Sequence, residues 1–169
     1  RLPLLHPEGL REFTGAGSAD PLRRLVKQRS TMVKRRTAVY ARLDALVELL
    51  GPSWYQVLGS NYGKAAIEVL VRYADPHALI RLGHARLTRF LIRQSRGFWR
   101  EQHAEALLTA ARATLRLWAT IDGQDGMDFA ELAAAIAAEA TQARFLTEQI
   151  DDLDERIANL YEQADPQGL

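Results

Sequence analysis

Two stretches of the chain carry apolar residues at seven-residue spacing, and together they fix most of what it can fold into. In the first, Leu22, Leu43 and Leu50 take the a positions of a heptad and Leu25, Met32, Val39 and Leu46 the d positions, with Arg29 and Arg36 in the remaining a sites. Asp20-Pro21 opens this run as an N-cap followed by proline at the first helical position, and Gly51-Pro52 closes it. In the second, Phe129, Ile136, Ala143, Ile150 and Ile157 fall in a, and Leu132, Glu139, Leu146, Leu153 and Leu160 in d, behind Asp128 as the cap. The two helices so predicted have matching length. Set head to tail they share one register, in which Leu22 meets Leu160, Leu25 meets Ile157, Met32 meets Ile150, Leu46 meets Ile136 and Leu50 meets Leu132. Burying a Leu or Ile side chain is worth roughly 1.5–3 kcal/mol and an exposed ion pair about 0.2–1, so burial forms such a hairpin and charge only tunes its register.

The expected fold is therefore all-α: a long antiparallel coiled-coil hairpin of about residues 21–50 with 128–163, carrying a smaller helical tip of about 53–121. By domain, residues 20–51 and 128–164 form the stalk and 52–127 the tip. In the tip, Asp75-Pro76 starts one helix, His84 to Ser95 makes another, and Arg100 to Thr120 a third, with Leu107, Leu108, Ala111, Leu115 and Trp118 at helical spacing. Asp122-Gly123-Gln124-Asp125-Gly126 reads as a turn or loop. Residues 1–19 hold Pro3, Pro7, Gly9, Gly15 and Gly17 without periodicity and read as a connector. A start at Arg1 and a stop just after Asp165-Pro166-Gln167-Gly168 suggest a piece of something longer. No segment has strand periodicity.

The formal charge of +1 conceals a division. Residues 1–100 carry 18 Lys+Arg against 7 Asp+Glu, and residues 101–169 carry 4 against 14. A basic region of this density is the usual footprint of phosphate binding, because neutralised phosphates release counterions. On the first long helix Arg23, Arg24, Lys27 and Lys34 fall in b, c and f positions, pointing away from a partner helix, and Arg35 lies beside them. No acid stands between Asp20 and Asp44, whereas a merely solvated helix face usually mixes its signs. Arg29, in an a layer, is placed to reach Asp154 and reads as structural. A second cluster, Arg86, Arg89, Arg93, Arg96 and Arg100, steps by three or four residues and makes one stripe on a continuous helix, unless Gly97 breaks it. Phe90, Phe98 and Trp99 lie among these arginines, either to stack bases or to pack a core. The e positions of the first helix, Val26, Val33, Tyr40 and Val47, are apolar too. They widen the buried stripe beyond a two-helix seam and call for a cover, either a tip helix or a second copy of the hairpin; a homodimer is expected.

Little in the sequence points to catalysis. Without cysteine there is no disulfide, thiolate nucleophile or sulfur-ligated metal, which fits a reducing compartment. No apolar run approaches a membrane span and no leader pattern opens the chain, so a cytoplasmic protein without membrane contact is expected. Asp151, Asp152, Asp154 and Glu155 sit at consecutive helical positions that point apart, which favours a solvated acidic face over a two-metal site. Gly59-Ser60-Asn61-Tyr62-Gly63-Lys64-Ala65 is one residue short of a phosphate loop between its glycines and lacks the following Ser or Thr and a preceding strand. His6, His77, His84 and His103 have no ligand spacing.

Several of these segments resemble a known family. Pro21 to Arg29, Met32 to Thr37, Arg42 to Leu46, Gly63-Lys64 with Leu70 to Pro76, and Ser95-Arg96-Gly97 ahead of the acidic arm are similar to the central region of RuvC-like DEDD insertion-sequence transposases of the IS one-ten class. The likeness covers about residues 18–169, and Ala164 to Leu169 resembles the approach to the C-terminal helix-hairpin-helix domain of those enzymes. The resemblance implies an upstream RuvC-like domain with four acidic metal ligands, to which residues 1–19 connect, and a downstream domain with a nucleophilic serine. It places both outside this chain, so no catalytic or metal-binding residue is carried over here. It also implies a magnesium-dependent parent recombinase, with no cofactor in this segment, and DNA as partner, joined in some members by a structured guide RNA. Under this reading the segment is the linker that dimerises the enzyme and contributes nucleic-acid contacts. The alternative is a helical protein–protein interaction module with no nucleic-acid role, its basic face meeting an acidic protein. An independent nuclease is a third, minor alternative.

Overall fold

The computed structural model describes residues 19–119 and 126–164, and these residues form α-helices and no strand. In chain order the helices are α1 (Ala19–Glu48), α2 (Pro52–Leu58), α3 (Lys64–Arg72), α4 (Pro76–Leu82), α5 (His84–Ser95), α6 (Glu101–Ala119) and α7 (Phe129–Ala164). The all-α expectation holds for the described residues. The connector at 1–18, the Asp122–Asp125 part of the expected loop and the breaker at 165–168 lie outside them.

Several boundaries follow from local chemistry. Asp75 caps α4, its Oδ1 accepting the His77 N–H at 2.9 Å, and Asp128 caps α7, accepting the Glu131 N–H at 3.1 Å. The expected Asp20 cap is not formed: α1 already includes Ala19, and the Asp20 carboxylate instead lies 3.6 Å from Arg24. Between α1 and α2 the chain turns at Gly51, whose φ of 111° is open to glycine and costly for a residue with a Cβ.

By compactness the chain divides into two units, Arg1–Arg36 with Leu146–Leu169, and Thr37–Phe145. The division cuts the long helices themselves, whereas the boundary expected from sequence between stalk and tip lies at their ends. In the first unit Leu25, Leu146, Ile150 and Leu153 are buried, all at a or d positions, while Leu22, Met32, Ile157 and Leu160 are half-buried. The arginines of the a layer turn sideways to polar partners. Arg29 Nε donates to Asp154 Oδ1, the partner anticipated from sequence, and Arg36 Nη1 donates to Thr147 Oγ1 at 3.1 Å.

The second unit has the larger core, because α2 to α6 pack on one another and, through Tyr55 with Asp44, Glu68 with Arg144 and His77 with Phe129, bear on residues 37–48 of α1 and 129–145 of α7. This shifts the buried stripe. Leu46, expected at a d layer, is only half-buried, whereas its neighbour Val47 at e is fully enclosed together with Leu43. On α7 the expected d residue Glu139 reaches outward, taking Arg42 Nε at 2.9 and 3.1 Å on its two carboxylate oxygens, and Ala140 is buried in its place. A carboxylate left in an apolar layer would lose its hydration without a partner, and the small Ala140 and Ala143 let the helix face rotate past it. Two side chains of α6 satisfy carbonyls just beyond the end of α1: Trp118 Nε1 donates to Leu49 O at 2.9 Å, and the buried Thr114 hydroxyl lies on Leu50 O while accepting Trp54 Nε1 at 2.8 Å. Glu68 is buried on α3 and receives Arg144 Nη1 at 3.0 Å on each oxygen.

Candidate nucleic-acid interface

In the first unit the cations named from sequence stay on the surface. Arg23, Arg24, Lys27, Lys34 and Arg35 are all exposed on α1. Arg24 leans toward Asp20 along the helix; the other four have no ion-pair partner among the described residues. The acids of α7 are exposed as well, with Asp154 on Arg29 and Asp152 3.9 Å from Arg156. Among the described residues no group of three or more His, Asp or Glu is placed to hold a metal ion.

In the second unit the five-arginine stripe does not exist as expected. Arg86, Arg89 and Arg93 share an exposed face of α5, three and four residues apart, while Leu87 and Leu91 on the same helix are fully buried. The helix then stops. Arg96 is its C-cap in the left-handed region, φ 55° and ψ 39°, and Gly97 follows at φ 89°. Arg100 is swung onto the turn, its Nε donating to Gly97 O at 3.0 Å. The glycine flagged in the sequence thus ends the stripe one residue early, because αL backbone reverses the chain direction. A non-glycine residue in this region costs roughly 1–2 kcal/mol, and here the turn is held by a dense set of bonds. The N–H of Gly97 donates to Ile92 O at 2.9 Å, and the Ser95 hydroxyl accepts the Trp99 N–H at 2.7 Å.

That turn divides the three aromatics. Phe90 is buried, edge-on to Tyr73 at 5.0 Å and with the Arg72 guanidinium 5.9 Å from its ring centre, so it is core. Trp99 is half-buried and lies flat on His103, rings 5.1 Å apart and 7° from parallel. Phe98 is 86% exposed. Of the two uses anticipated for these aromatics, core packing is met by Phe90, and Phe98 is left exposed.

An open cleft of about 320 Å³ sits beside the turn, lined by Lys64, Gln94, Arg96, Phe98 and Trp99 together with backbone and alanines of α3. None of its lining residues is acidic. Lys64, Gln94 and the special conformation of Arg96 were not legible as site features. Lys64 stands in the sequence within a phosphate-loop pattern that the spacing rules out and within the Gly63-Lys64 of the family resemblance, and Gly63 here is the N-cap of α3 rather than the end of a strand-to-helix loop.

The apolar e residues of α1 meet different fates. Val47 is enclosed within the second unit, and Tyr40 rests against Tyr62 with rings 5.4 Å apart, so at this end the chain covers its own stripe. Tyr62 is tied there, its hydroxyl donating to the Asp44 carboxylate, and Tyr55 donates to the Asp44 backbone carbonyl. Burial pushes the Tyr62 phenol well above its ordinary value, and the hydrogen bond to Asp44 and the charge of that carboxylate add to the effect. Burial also raises Tyr55, with Asp44 next. In the first unit Val33 is half-buried and Val26 is 49% exposed.

No described helix is long and apolar enough to cross a membrane. Comparison of the chain with protein-family models, with curated proteins and with solved structures gives no match.

Proposed function

We propose that this chain is the helical assembly and nucleic-acid-facing section of a DNA transposase of the RuvC-like DEDD kind, non-catalytic by itself. In this reading α1 and α7 zip as an antiparallel coiled-coil hairpin. The falling partner numbers along α7 for successive donors of α1 support it: Arg29 with Asp154, Arg36 with Thr147, Arg42 with Glu139. The hairpin sets the spacing between flanking domains and, through Val26 and Val33, pairs with a second copy. Nucleic acid, DNA and in guided systems a structured RNA, contacts the outward cations of α1 and α5. Magnesium belongs to the parent enzyme.

The observation that carries this reading is the one-sided exposure of α1: five surface cations from Arg23 to Arg35 with a single carboxylate, Asp20, against one of them. Charges displayed in this way are available to phosphates and release counterions on binding. The test is association with duplex DNA and with a structured RNA as salt is raised. Binding that weakens steeply between about 50 and 200 mM supports the proposal. An absence of binding at the low end leaves the protein–protein interaction module, and cleavage of DNA by this chain with magnesium would place the chemistry here instead.

A further inference from the structure

We propose that the cleft between α3 and the turn after α5 seats one unpaired nucleotide, its base stacking on Phe98 and its phosphate held by Lys64 and Arg96. The inference rests on the nucleic-acid reading above and goes beyond it by naming a pocket and the state of the strand that enters it.

Three observations converge. First, Phe98 stands almost wholly in water, on a turn fixed by hydrogen bonds from Gly97, Trp99 and Arg100 rather than on a fraying end. A ring presented in this way is a platform, and a nucleobase has the flat apolar face to complement it. Second, Arg96 occupies left-handed backbone where glycine would be at ease, and it lines the same cleft as Lys64. This C-cap position, usually glycine, is held by an exposed arginine. Third, the charge is complementary. No acid occurs between Asp75 and Glu101, the cleft has no acidic lining residue, and Arg86, Arg89 and Arg93 give a backbone an approach along α5. The strand must be unpaired at this point, because a base within a duplex has its faces covered by its neighbours and can reach an aromatic side chain only when splayed out. A cleft of about 320 Å³ lies at the small end of the range that small-ligand sites use.

The experiment compares hairpin oligonucleotides of DNA and of RNA, each with a short loop carrying 2-aminopurine, against fully paired duplexes of the same stems, using the whole chain. Phe98→Ala is expected to weaken binding of at least one hairpin about tenfold, the effect of losing one stacked base, and to abolish the change in 2-aminopurine fluorescence, leaving duplex binding as it was. Arg96→Gly is expected to weaken the same hairpin while keeping or raising thermal stability, since glycine relieves the backbone. Far-UV circular dichroism checks that both variants stay helical. If the unaltered protein binds duplexes with steep salt dependence but gains nothing from a loop, or if both variants bind loops normally, this pocket has no such role. Failure to bind any of the oligonucleotides at low salt would overturn the broader nucleic-acid reading as well.

Discussion

The two compact units solve different problems with the same helices. In the second, residues of seven helices enclose Leu43, Trp54, Leu70, Leu107 and Ile136 completely, and among the described residues no buried side-chain nitrogen or oxygen lacks a partner, as in Trp54–Thr114 and Arg144–Glu68. In the first, the described residues belong to two helix segments, only a few apolar side chains are buried, and arginines stand within the expected apolar layers. The core of the second unit holds one arginine in strained backbone and one phenylalanine out in water; the pair of helix segments in the first displays charge along its length. The contrast explains why the second unit carries a cleft without acidic lining beside a strained turn, while the first carries a basic face on α1 and open grooves lined by residues of both signs, Arg24 and Arg156 with Asp152 and Glu148.

The largest effects that sharpen this contrast concern the cores. Leu43→Ala in the second unit is expected to cost about 3–4 kcal/mol in chemical unfolding, from lost transfer energy plus the cavity left behind, and Leu22→Ala in the first only about 1 because its site is half in water. Equal losses would mean the two cores do not differ. Next, exchanging Arg23, Arg24 and Lys27 together for Glu should weaken duplex binding on the order of a hundredfold and lower the salt slope, with helicity by circular dichroism little changed. A large drop in helicity would show that these cations are structural. Arg144→Ala follows at about 2 kcal/mol in thermal or chemical unfolding. It strands the buried Glu68 carboxylate, and the effect is held down because Arg144 is itself partly solvated.

The smallest effect is one of pH. Tyr62 keeps its proton in the folded state to higher pH than the unfolded chain, whose phenol titrates near 10.0. The stability it contributes is complete below that pH and is lost as pH rises above it, at no more than about 1.4 kcal/mol per pH unit. Thermal melts from about pH 9 to 11 should decline, and Tyr62→Phe should flatten the decline.

How far the sequence can be read follows the same division. The all-α class, the bounds of α5 and the caps at Asp75 and Asp128 are written in local signals, namely breakers such as Gly83 and Gly97 and short acceptors before proline or an apolar run. The pairing of Arg29 with Asp154 follows from heptad arithmetic. What escapes such reading depends on distant chain. The enclosure of Val47 in preference to Leu46 and the exchange of Glu139 for Ala140 arise where the shorter helices pack against the long ones, widening a two-helix stripe. The left-handed Arg96 was hidden because arginine is a good helix former, and only the glycine after it hinted that the stripe would break. Phe90 lies on the buried face of α5 with Leu87 and Leu91, whereas Phe98 follows the turn and is left exposed.

The exposure of the α1 cations to phosphate is tested most directly by the dependence of duplex-DNA association on salt for the unaltered chain. Five exposed cations on one helix, each neutralising one phosphate, predict a straight line in log–log form with a slope of about −4.5, made shallower by about 3 when Arg23, Arg24 and Lys27 are exchanged for Glu. A flat line, or the same slope in both proteins, would contradict it.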